Sequence, residues 1–389
     1  MAEAYIVEAL RSAGGRRGGR LAGWHPADLG GELLSAVVAR TGIDPASVED
    51  VIFGCVSQVG EQSGQIGRSA VLASTLPQTV PAVSIDRQCG SSQQALHFAA
   101  QAVKSGTQDI VIAGGVESMT RVPMGTPTVL PAKAGLGMPW SDRIKNRFGV
   151  EGFSQFTGAQ MVADKYGFSR EDHDRFALES HLKAIAAVEA GAFDREIYPI
   201  AIDTPEGPAV HDRDEGIRFD ASLASIGSVK LLQEGGSISA ASASQVTDGS
   251  SAVLVVSERA LKDHGLTPLA RVHNLTVTAG DPVIMLEEPI AATKRALERA
   301  GMSLGQIDLF EVNEAFAPIP LAWLKALGAD PAKLNVNGGA IALGHPLGAT
   351  GTKLSATLIH GLRAHGLRFG LQAMCEGGGT ANVTIFEAL

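Results

Sequence analysis

The chain repeats itself. Val51-Ile52-Phe53-Gly54 resembles Ile307-Asp308-Leu309-Phe310, the glycine-bearing turn at Cys89 resembles the one at His345, and Ile110-Val111-Ile112-Ala113-Gly114-Gly115 resembles Gln372-Ala373-Met374-Cys375-Glu376-Gly377. The separations, 309 − 52 = 257, 345 − 89 = 256 and 376 − 114 = 262, are nearly constant, which is what a duplicated domain leaves behind. A repeat of this length restricts the fold to two similar α/β halves whose helix N-termini are expected to converge on one site. A chain of 389 residues allows two or three units and a large core. Its 46 glycines, set among 45% hydrophobic residues, suit tight turns between buried strands.

The chemistry concentrates at the turns. After Cys89, Leu96, Ala99, Ala100 and Val103 fall at i, i+3, i+4 and i+7, with Lys104 and Gly106 supplying a charged last turn and a stop. Val83 to Ile85, after Pro81, is a short apolar strand, so the order is strand, cysteine, helix, a nucleophile elbow built on sulfur. Cys375, 286 residues later, also sits where an apolar strand enters a glycine turn. A turn that opens a helix aims backbone N–H groups at the sulfur and is expected to lower its pKa. The pattern points to a thiol-dependent enzyme.

His345 lies in Gly338-Gly339-Ala340 through Gly344-His345-Pro346-Leu347-Gly348, ahead of Leu354, Leu358 and Leu362 at helical spacing. No phosphate-cradle motif is present there. Asn313-Glu314 follows the apolar run Ile307 to Val312, as polar groups at a strand end or as a helix cap. Cys55 reads as a small core residue, and the other nine histidines, His97 among them, as structural or surface groups. Zinc held by Cys89, His345 and Cys375 would lack paired ligand spacing.

Residues 1–120 plus 246–267 are expected to form the first half and 268–389 the second. Between them, 121–245 changes character, with Pro123, Pro127, Pro131 and Pro139 followed by a charged helical stretch from Ser169 to Ala190, and reads as an inserted domain. A net charge of −9 disfavours nonspecific nucleic-acid binding. Three cysteines without C-x-x-C spacing fit a reducing compartment. Strand-like Ala4-Tyr5-Ile6-Val7 opens the chain without a leader and no apolar run is long enough to span a membrane, so the expected location is cytoplasmic.

These segments, in this order, resemble the thiolase family: the Cys89-Gly90-Ser91 loop, Gly114-Gly115-Val116-Glu117-Ser118-Met119, Asn313-Glu314-Ala315-Phe316, Gly338 through Pro346, and Cys375-Glu376-Gly377-Gly378-Gly379. The resemblance implies a thiolase-like α/β fold of two duplicated halves with an inserted loop domain. It further implies thiolytic cleavage or Claisen condensation of acyl-CoA thioesters, with coenzyme A as substrate and no metal or redox cofactor. By the same resemblance Cys89 is acylated, His345 activates it, and Cys375 moves the α-proton of acetyl-CoA. His345 and a water on Asn313 form one oxyanion hole, and the N–H groups of Cys89 and Gly377 the other. CoA contacts carry over to Arg218, Ser225, Ala243, Ser244, Phe316 and Leu347, and a homodimer or homotetramer is implied. An acidic chain binding polyanionic CoA needs a local basic patch. Two departures stand out: Ala241-Ser242-Ala243-Ser244 replaces the frequent Gly-Asn-Ala-Ser, and Ser154-Gln155-Phe156 replaces the His-Met-Gly of many biosynthetic relatives. The second resembles degradative thiolases that handle larger acyl groups. The alternatives are an acetoacetyl-CoA-specific biosynthetic enzyme, a decarboxylating condensing enzyme, which would place histidine or asparagine at position 375, a cysteine thioester hydrolase and a noncatalytic acyl-CoA binding protein.

Overall fold

The computed structural model describes residues 2–389. Its strands are β1 (Tyr5–Arg11), β2 (Gly15–Arg16), β3 (Asp50–Gly54), β4 (Ala82–Ile85), β5 (Ile110–Ser118), β6 (Ile200–Thr204), β7 (Gly207–His211), β8 (Thr247–Val256), β9 (Ala270–Ala279), β10 (Leu309–Val312), β11 (Phe369–Glu376) and β12 (Thr380–Ala388). Ten of them form one mixed sheet in the order β10-β11-β12-β9-β1-β8-β5-β3-β4, with β2 on β8; β6 and β7 form a separate hairpin.

The sheet is two copies of one pattern joined edge to edge. In the first copy β3 runs parallel to β4 and β5, β5 is antiparallel to β8, and β8 to β1. In the second, β10 runs parallel to β11, β11 is antiparallel to β12, and β12 to β9; Leu334 bridges Phe310 in parallel where β4 flanks β3. The seam is short, Tyr5 opposite Arg271 and Ile6 opposite Ala270. Asp50 pairs with Val111 and Leu309 with Gly370, and the helices Ser91–Ser105 and Thr350–Ala364 are both 15 residues long. Hence 309 − 50, 370 − 111 and 350 − 91 all give 259. This corrects the register read from the glycines. Cys89 matches Gly348, not His345, and Ile110 matches Phe369, because the two glycine-rich turns carry their functional residues at different distances from the helix.

The insertion is equally plain in the strands. β11 returns to β12 through the turn 377–379, where Gly378 and Gly379 adopt φ of +83° and +78°. β5 reaches its neighbour β8 only after residues 119–246, which hold the β6–β7 hairpin and the helices Thr126–Lys133, Asp142–Phe148, Gln155–Tyr166, Arg170–Glu189 and Leu223–Gly227. The charged stretch noted above is the 20-residue helix of that set, opened by a capping box in which Ser169 and Asp172 satisfy each other's backbone N–H.

Helices Ser91–Ser105 and Thr350–Ala364 lie in the middle of the molecule. Ala95, Leu96, Ala99, Ala356, Leu358 and Ile359 share one core cluster with Ile6 and Val253 of the first half and Val272 and Phe386 of the second. Helix Pro26–Thr41 covers the outer face of the first half and Pro289–Ala300 that of the second. From Ser91 to His97 and from Thr350 to Ile359 the residues of the central helices are therefore all buried, the polar Ser91, Ser92, Gln93 and His97 included. His97 shares the Thr384 hydroxyl with Gln93, at 2.8 Å each.

The two central helices cross at their N-termini, where Thr352 N–H donates to Ser92 Oγ at 3.0 Å and a Cβ on Gly351 would run into the backbone nitrogen of Gln93. Gly351→Val is expected to lower stability by about 1–3 kcal/mol through overpacking. Gly305→Ala, where nothing lies within 4 Å of the new methyl, should stay within about 0.5 kcal/mol. Urea or thermal unfolding of the two variants beside wild type checks this, and equal stabilities would contradict the crossing.

Candidate active site

Cys89 is presented by a strained turn. β4 ends at Ile85; the Asp86 carboxylate accepts the Gln88 N–H at 2.7 Å, and Gln88 takes a φ of +50°, a conformation that side chains other than glycine seldom adopt. Gly90 N–H then donates to Arg87 O and Ser91 N–H to Gln88 O, leading into the helix. A Cβ on Gly90 would collide with the Glu376 carboxyl, and one on Gly377 would lie 2.9 Å from Gln88 Oε1. Glycine at both places lets the Cys89 turn close on the end of β11, which carries Cys375. Cys89 packs there with Met119, Leu347, Leu354 and Met374.

His345 is held from both sides. Its backbone N–H donates to Thr247 Oγ1 at 3.1 Å, and its Nδ1 lies 2.6 Å from Thr350 Oγ1. The Thr350 hydroxyl has one proton, which it donates to Pro346 O at 2.8 Å. With that proton on Pro346 O, the hydroxyl accepts from Nδ1–H, the arrangement that satisfies all three groups, and Nε2 keeps its lone pair, 3.4 Å from Asn313 Nδ2. Burial and the Lys353 charge push the His345 pKa down to about 3, so the ring is neutral at physiological pH. Lys353, fully enclosed, donates to Leu343 O at 2.6 Å and Gly344 O at 2.7 Å, the two carbonyls before the histidine; burial lowers its pKa to about 8.

The thiols depart from expectation. Burial, then the charges of Cys375 and Glu376, raise the Cys89 pKa well above the ordinary thiol value. Burial and Glu376 push Cys375 up to about 12, with its own backbone N–H and the Asn313 side chain pulling the other way. The predicted lowering at the helix N-terminus is thus overturned: desolvation of a thiolate outweighs the few N–H groups that face it. Both cysteines rest as thiols, and Cys89 needs an adjacent base, the role that a neutral imidazole with a free Nε2 can fill.

Asn313 reaches both His345 and Cys375, and its Oδ1 is buried without a partner. Glu314 is not a helix cap. It accepts from Ser180 Oγ, Asn335 Nδ2 and Ile341 N–H at 2.7–3.1 Å, tying the long insert helix to the loop ahead of His345. Cys55 is a buried core residue of the first half.

A cleft of about 460 Å³ opens beside His345, lined by Met119, Met124, Phe156, Phe316 and Leu347, with Ala243, Ser244, Arg16, Arg17 and Arg218 towards its polar side. A neighbouring cleft of about 380 Å³ shares Arg218 and Ala243 and adds His181 and Ser225. Two larger clefts, about 650 and 870 Å³, lie away from His345, and no cysteine lines any of the four. Ala243 forms a β-bridge with Phe316 and Ser244 N–H donates to Ala315 O at 2.9 Å. Ser242, the second residue of the Ala241-to-Ser244 loop, is buried and accepts from Ser239 N–H at 3.0 Å. Thr350, Thr247, Lys353 and Glu376 escaped the sequence reading because their partners are set by the fold. Arg16 and Arg17 left a signal, an arginine pair in a glycine-rich stretch. Among the described residues no three His, Cys, Asp or Glu side chains gather as a metal site, and no helix is long and apolar enough to cross a membrane.

A model of the thiolase N-terminal domain matches residues 4–259, and one of the thiolase C-terminal domain residues 266–388. The chain belongs to the thiolase family. It is 51% identical to the steroid 3-ketoacyl-CoA thiolase FadA6 of Mycobacterium tuberculosis, over 100% of this chain and 95% of that protein. Among solved structures it matches the Bacillus anthracis acetyl-CoA acetyltransferase at TM-score 0.91 and 35% identity, and human mitochondrial 3-ketoacyl-CoA thiolase at 0.89 and 34%, each covering 100% of this chain and 99% of the other. This thiolase is an acyltransferase, and its reaction is the thiolytic cleavage of a 3-ketoacyl-CoA by coenzyme A.

Removing the hydroxyl that fixes the histidine tautomer should cost activity without removing a reacting group. Thr350→Val is expected to slow acylation of the enzyme by acetyl-CoA roughly 10- to 100-fold, in the range that positioned proton transfer contributes, and Thr350→Ser to recover most of it. Single-turnover release of CoA measures both, and a wild-type rate in Thr350→Val would show that the tautomer is fixed elsewhere.

Proposed function

We propose that this thiolase works through an acyl-Cys89 intermediate and degrades 3-ketoacyl-CoA esters larger than acetoacetyl-CoA. His345 Nε2 removes the Cys89 proton as the sulfur attacks the C3 ketone, and the N–H groups of Cys89 and Gly377 receive the oxyanion. The C2–C3 bond then breaks and its electron pair passes to the acetyl-CoA enolate. The enolate oxygen is met by the protonated His345 and by a water on Asn313, whose free Oδ1 suits that task. Cys375 gives its proton to the enolate carbon. A second CoA enters as a thiol, loses its proton to the Cys375 thiolate and takes the acyl group from Cys89; the leaving Cys89 thiolate recovers its proton from the protonated His345, so both cysteines return to thiols and the imidazole to its neutral form. The observation that carries this reading is the hydrogen-bond set of His345, which leaves a neutral base whose Nε2 lone pair meets only the long 3.4 Å contact from Asn313 Nδ2.

CoA is assigned to the two joined clefts. Arg16, Arg17 and Arg218 supply the basic patch that a chain of net charge −9 needs for a polyanion. Arg218 and Ser225 face the nucleotide end, and Ala243, Ser244, Phe316 and Leu347 the pantetheine end. We assign residues 121–245 as the CoA-binding insert, and propose a cytoplasmic homodimer or homotetramer; the three free cysteines support a reducing compartment. For the acyl group, Phe156 stands edge-on to Phe316 at 5.6 Å between ring centroids, and Met119, Met124 and Leu347 extend an apolar wall. The 51% identity to a thiolase named for steroid substrates favours bulk over an acetoacetyl-specific enzyme.

The sulfurs are separable. Cys89→Ala should abolish acyl transfer while leaving the fold intact, and mass spectrometry of wild type should find the acyl adduct on Cys89. Cys375→Ser should still acylate Cys89 from an acyl-CoA yet lose exchange of acetyl-CoA α-protons. Turnover in Cys89→Ala, or wild-type exchange in Cys375→Ser, would overturn the assignment.

Substrate size has its own readout. Each methylene buried along the apolar wall contributes about 0.8 kcal/mol, so kcat/KM for thiolysis should rise by up to about fourfold per carbon over the first few carbons. Thiolysis of 3-ketobutyryl- to 3-ketodecanoyl-CoA measures this series, and activity confined to the shortest member would favour the biosynthetic alternative.

A further inference from the structure

Glu376 is a buried carboxyl in the active site that none of the steps above uses. It follows Cys375 on β11, so its side chain leaves the opposite face of the strand from that cysteine. That face meets the Cys89 turn, where the Glu376 carboxyl occupies the space left open by Gly90. Thr380 Oγ1 donates to its Oε2 at 2.7 Å, while Oε1, pressed against Gly90, is buried without a hydrogen-bond partner. Residue 376 is fully enclosed.

An enclosed carboxylate with one bare oxygen is unfavourable, and a proton on Oε1 relieves it. Since the Thr380 hydroxyl already serves Oε2, Oε1 is the atom left to carry that proton. The charged groups that face the carboxyl are Arg87 and Asp86 on the Cys89 turn, the first favouring its ionised form and the second opposing it; β12 adds Thr380 and the backbone of Asn382. The two thiols complete the surroundings, and a charge on Glu376 raises the pKa of both. Burial outweighs the favourable contacts, and the group titrates at about 8, within reach of physiological pH.

We propose that Glu376 is a positioning residue of the thiolase site whose neutral form is required for Cys89 to give up its proton. Neutral, the carboxyl fills the gap behind Gly90 and sets the spacing between the Cys89 and Gly377 N–H groups. Ionised, it places a negative charge behind the turn where the thiolate and the oxyanion must form, and opposes both. The direction of the pH effect follows: the obstacle is absent below the carboxyl's pKa and appears as pH rises through it. Lys353 loses its charge in a similar range, so an alkaline loss of turnover in wild type does not by itself identify Glu376.

The inference rests on the thiolase reading with Cys89 as nucleophile, and its test is the reactivity of that one sulfur. Iodoacetamide alkylation of Cys89, followed by mass spectrometry of its peptide from pH 6 to 10, is compared between wild type and Glu376→Gln, which keeps the shape and removes the charge. The two rates should approach each other at pH 6.5 and diverge at pH 9.5, with Glu376→Gln about tenfold faster, the equivalent of one pKa unit. Thr380→Val, which removes a hydrogen bond that favours the ionised carboxyl, should move the onset of slowed alkylation in an otherwise native site to higher pH. Parallel curves for wild type and Glu376→Gln with both proteins folded by circular dichroism, or an unmoved onset in Thr380→Val, would overturn the proposal. The thiolase reading is checked separately, since a wild-type protein that fails CoA-dependent thiolysis of 3-ketooctanoyl-CoA would overturn that reading instead.

Discussion

Everything in the site depends on two helix N-termini being buried against each other. The first N–H groups of any helix lack partners within it and must be satisfied from outside. Here Ser92 of one central helix accepts the Thr352 N–H of the other, and the absence of a side chain at Gly351 allows the backbones to approach. Gln372 of β11 fastens the crossing from below, donating to Gly351 O at 2.7 Å and accepting from Ser355 Oγ at 2.7 Å. Because each half places its helix after a glycine turn, one crossing brings both turns to the same place, and with them Cys89 and His345. In the mechanism proposed above, two positive helix ends then face the position where negative charge develops during acyl transfer.

The resting site is electrically quiet in spite of that arrangement. The thiols are held above and the imidazole below their ordinary pKa values, and for each group burial is the largest cause. Thiolate is the form that attacks thioesters and also the form that oxidises. A cysteine that loses its proton only as it attacks is reactive towards a ketone already seated in the cleft and comparatively inert otherwise. The charges that remain are kept one layer behind. Arg11 is enclosed between Glu196 and Asp214, and Asp214 also accepts the Gly14 N–H at 2.6 Å. Glu117 accepts from Val56, Ser57 and Gly348 N–H at 2.9–3.0 Å, linking the first half to the loop after His345. Arg11, Asp214 and Glu117 each meet several partners, and of this set only Glu196 Oε2 is buried without one; a buried charge is tolerated where it is paired in this way.

What could be read in the sequence is what local chemistry decides. The helix after Cys89 begins and ends where its cap signals put it, with Gly106 left-handed at the C-terminus, and Ser169 opens the long insert helix. The duplication was legible too, but its register was not, since glycines recur at both turns while strand pairing alone carries the constant offset. The direction of the thiol pKa was misread because a helix N-terminus is visible in sequence and the depth of its burial is not. Thr350, Lys353 and Glu376 remained silent for a related reason. Each acts on an atom brought near by folding, and although Glu376 lies inside the Cys375-to-Gly379 segment, the spacing of that segment says nothing of what its carboxyl meets.

The fold leaves the acyl group undetermined, and the insertion shows why. The apolar wall of the cleft is built largely on the excursion between β5 and β8, from Met124 and Phe156, with Phe316 and Leu347 of the second half opposite. In the second half the corresponding connection is the turn 377–379, which is confined to the catalytic end of β11. With the acyl group in this cleft, as proposed, a change of side chain on the longer connection alters what the cleft accepts while the helix crossing and the residues around His345 stay as they are. The duplicated halves can therefore keep one chemistry, and the single asymmetric insertion between them is where substrate size is free to vary.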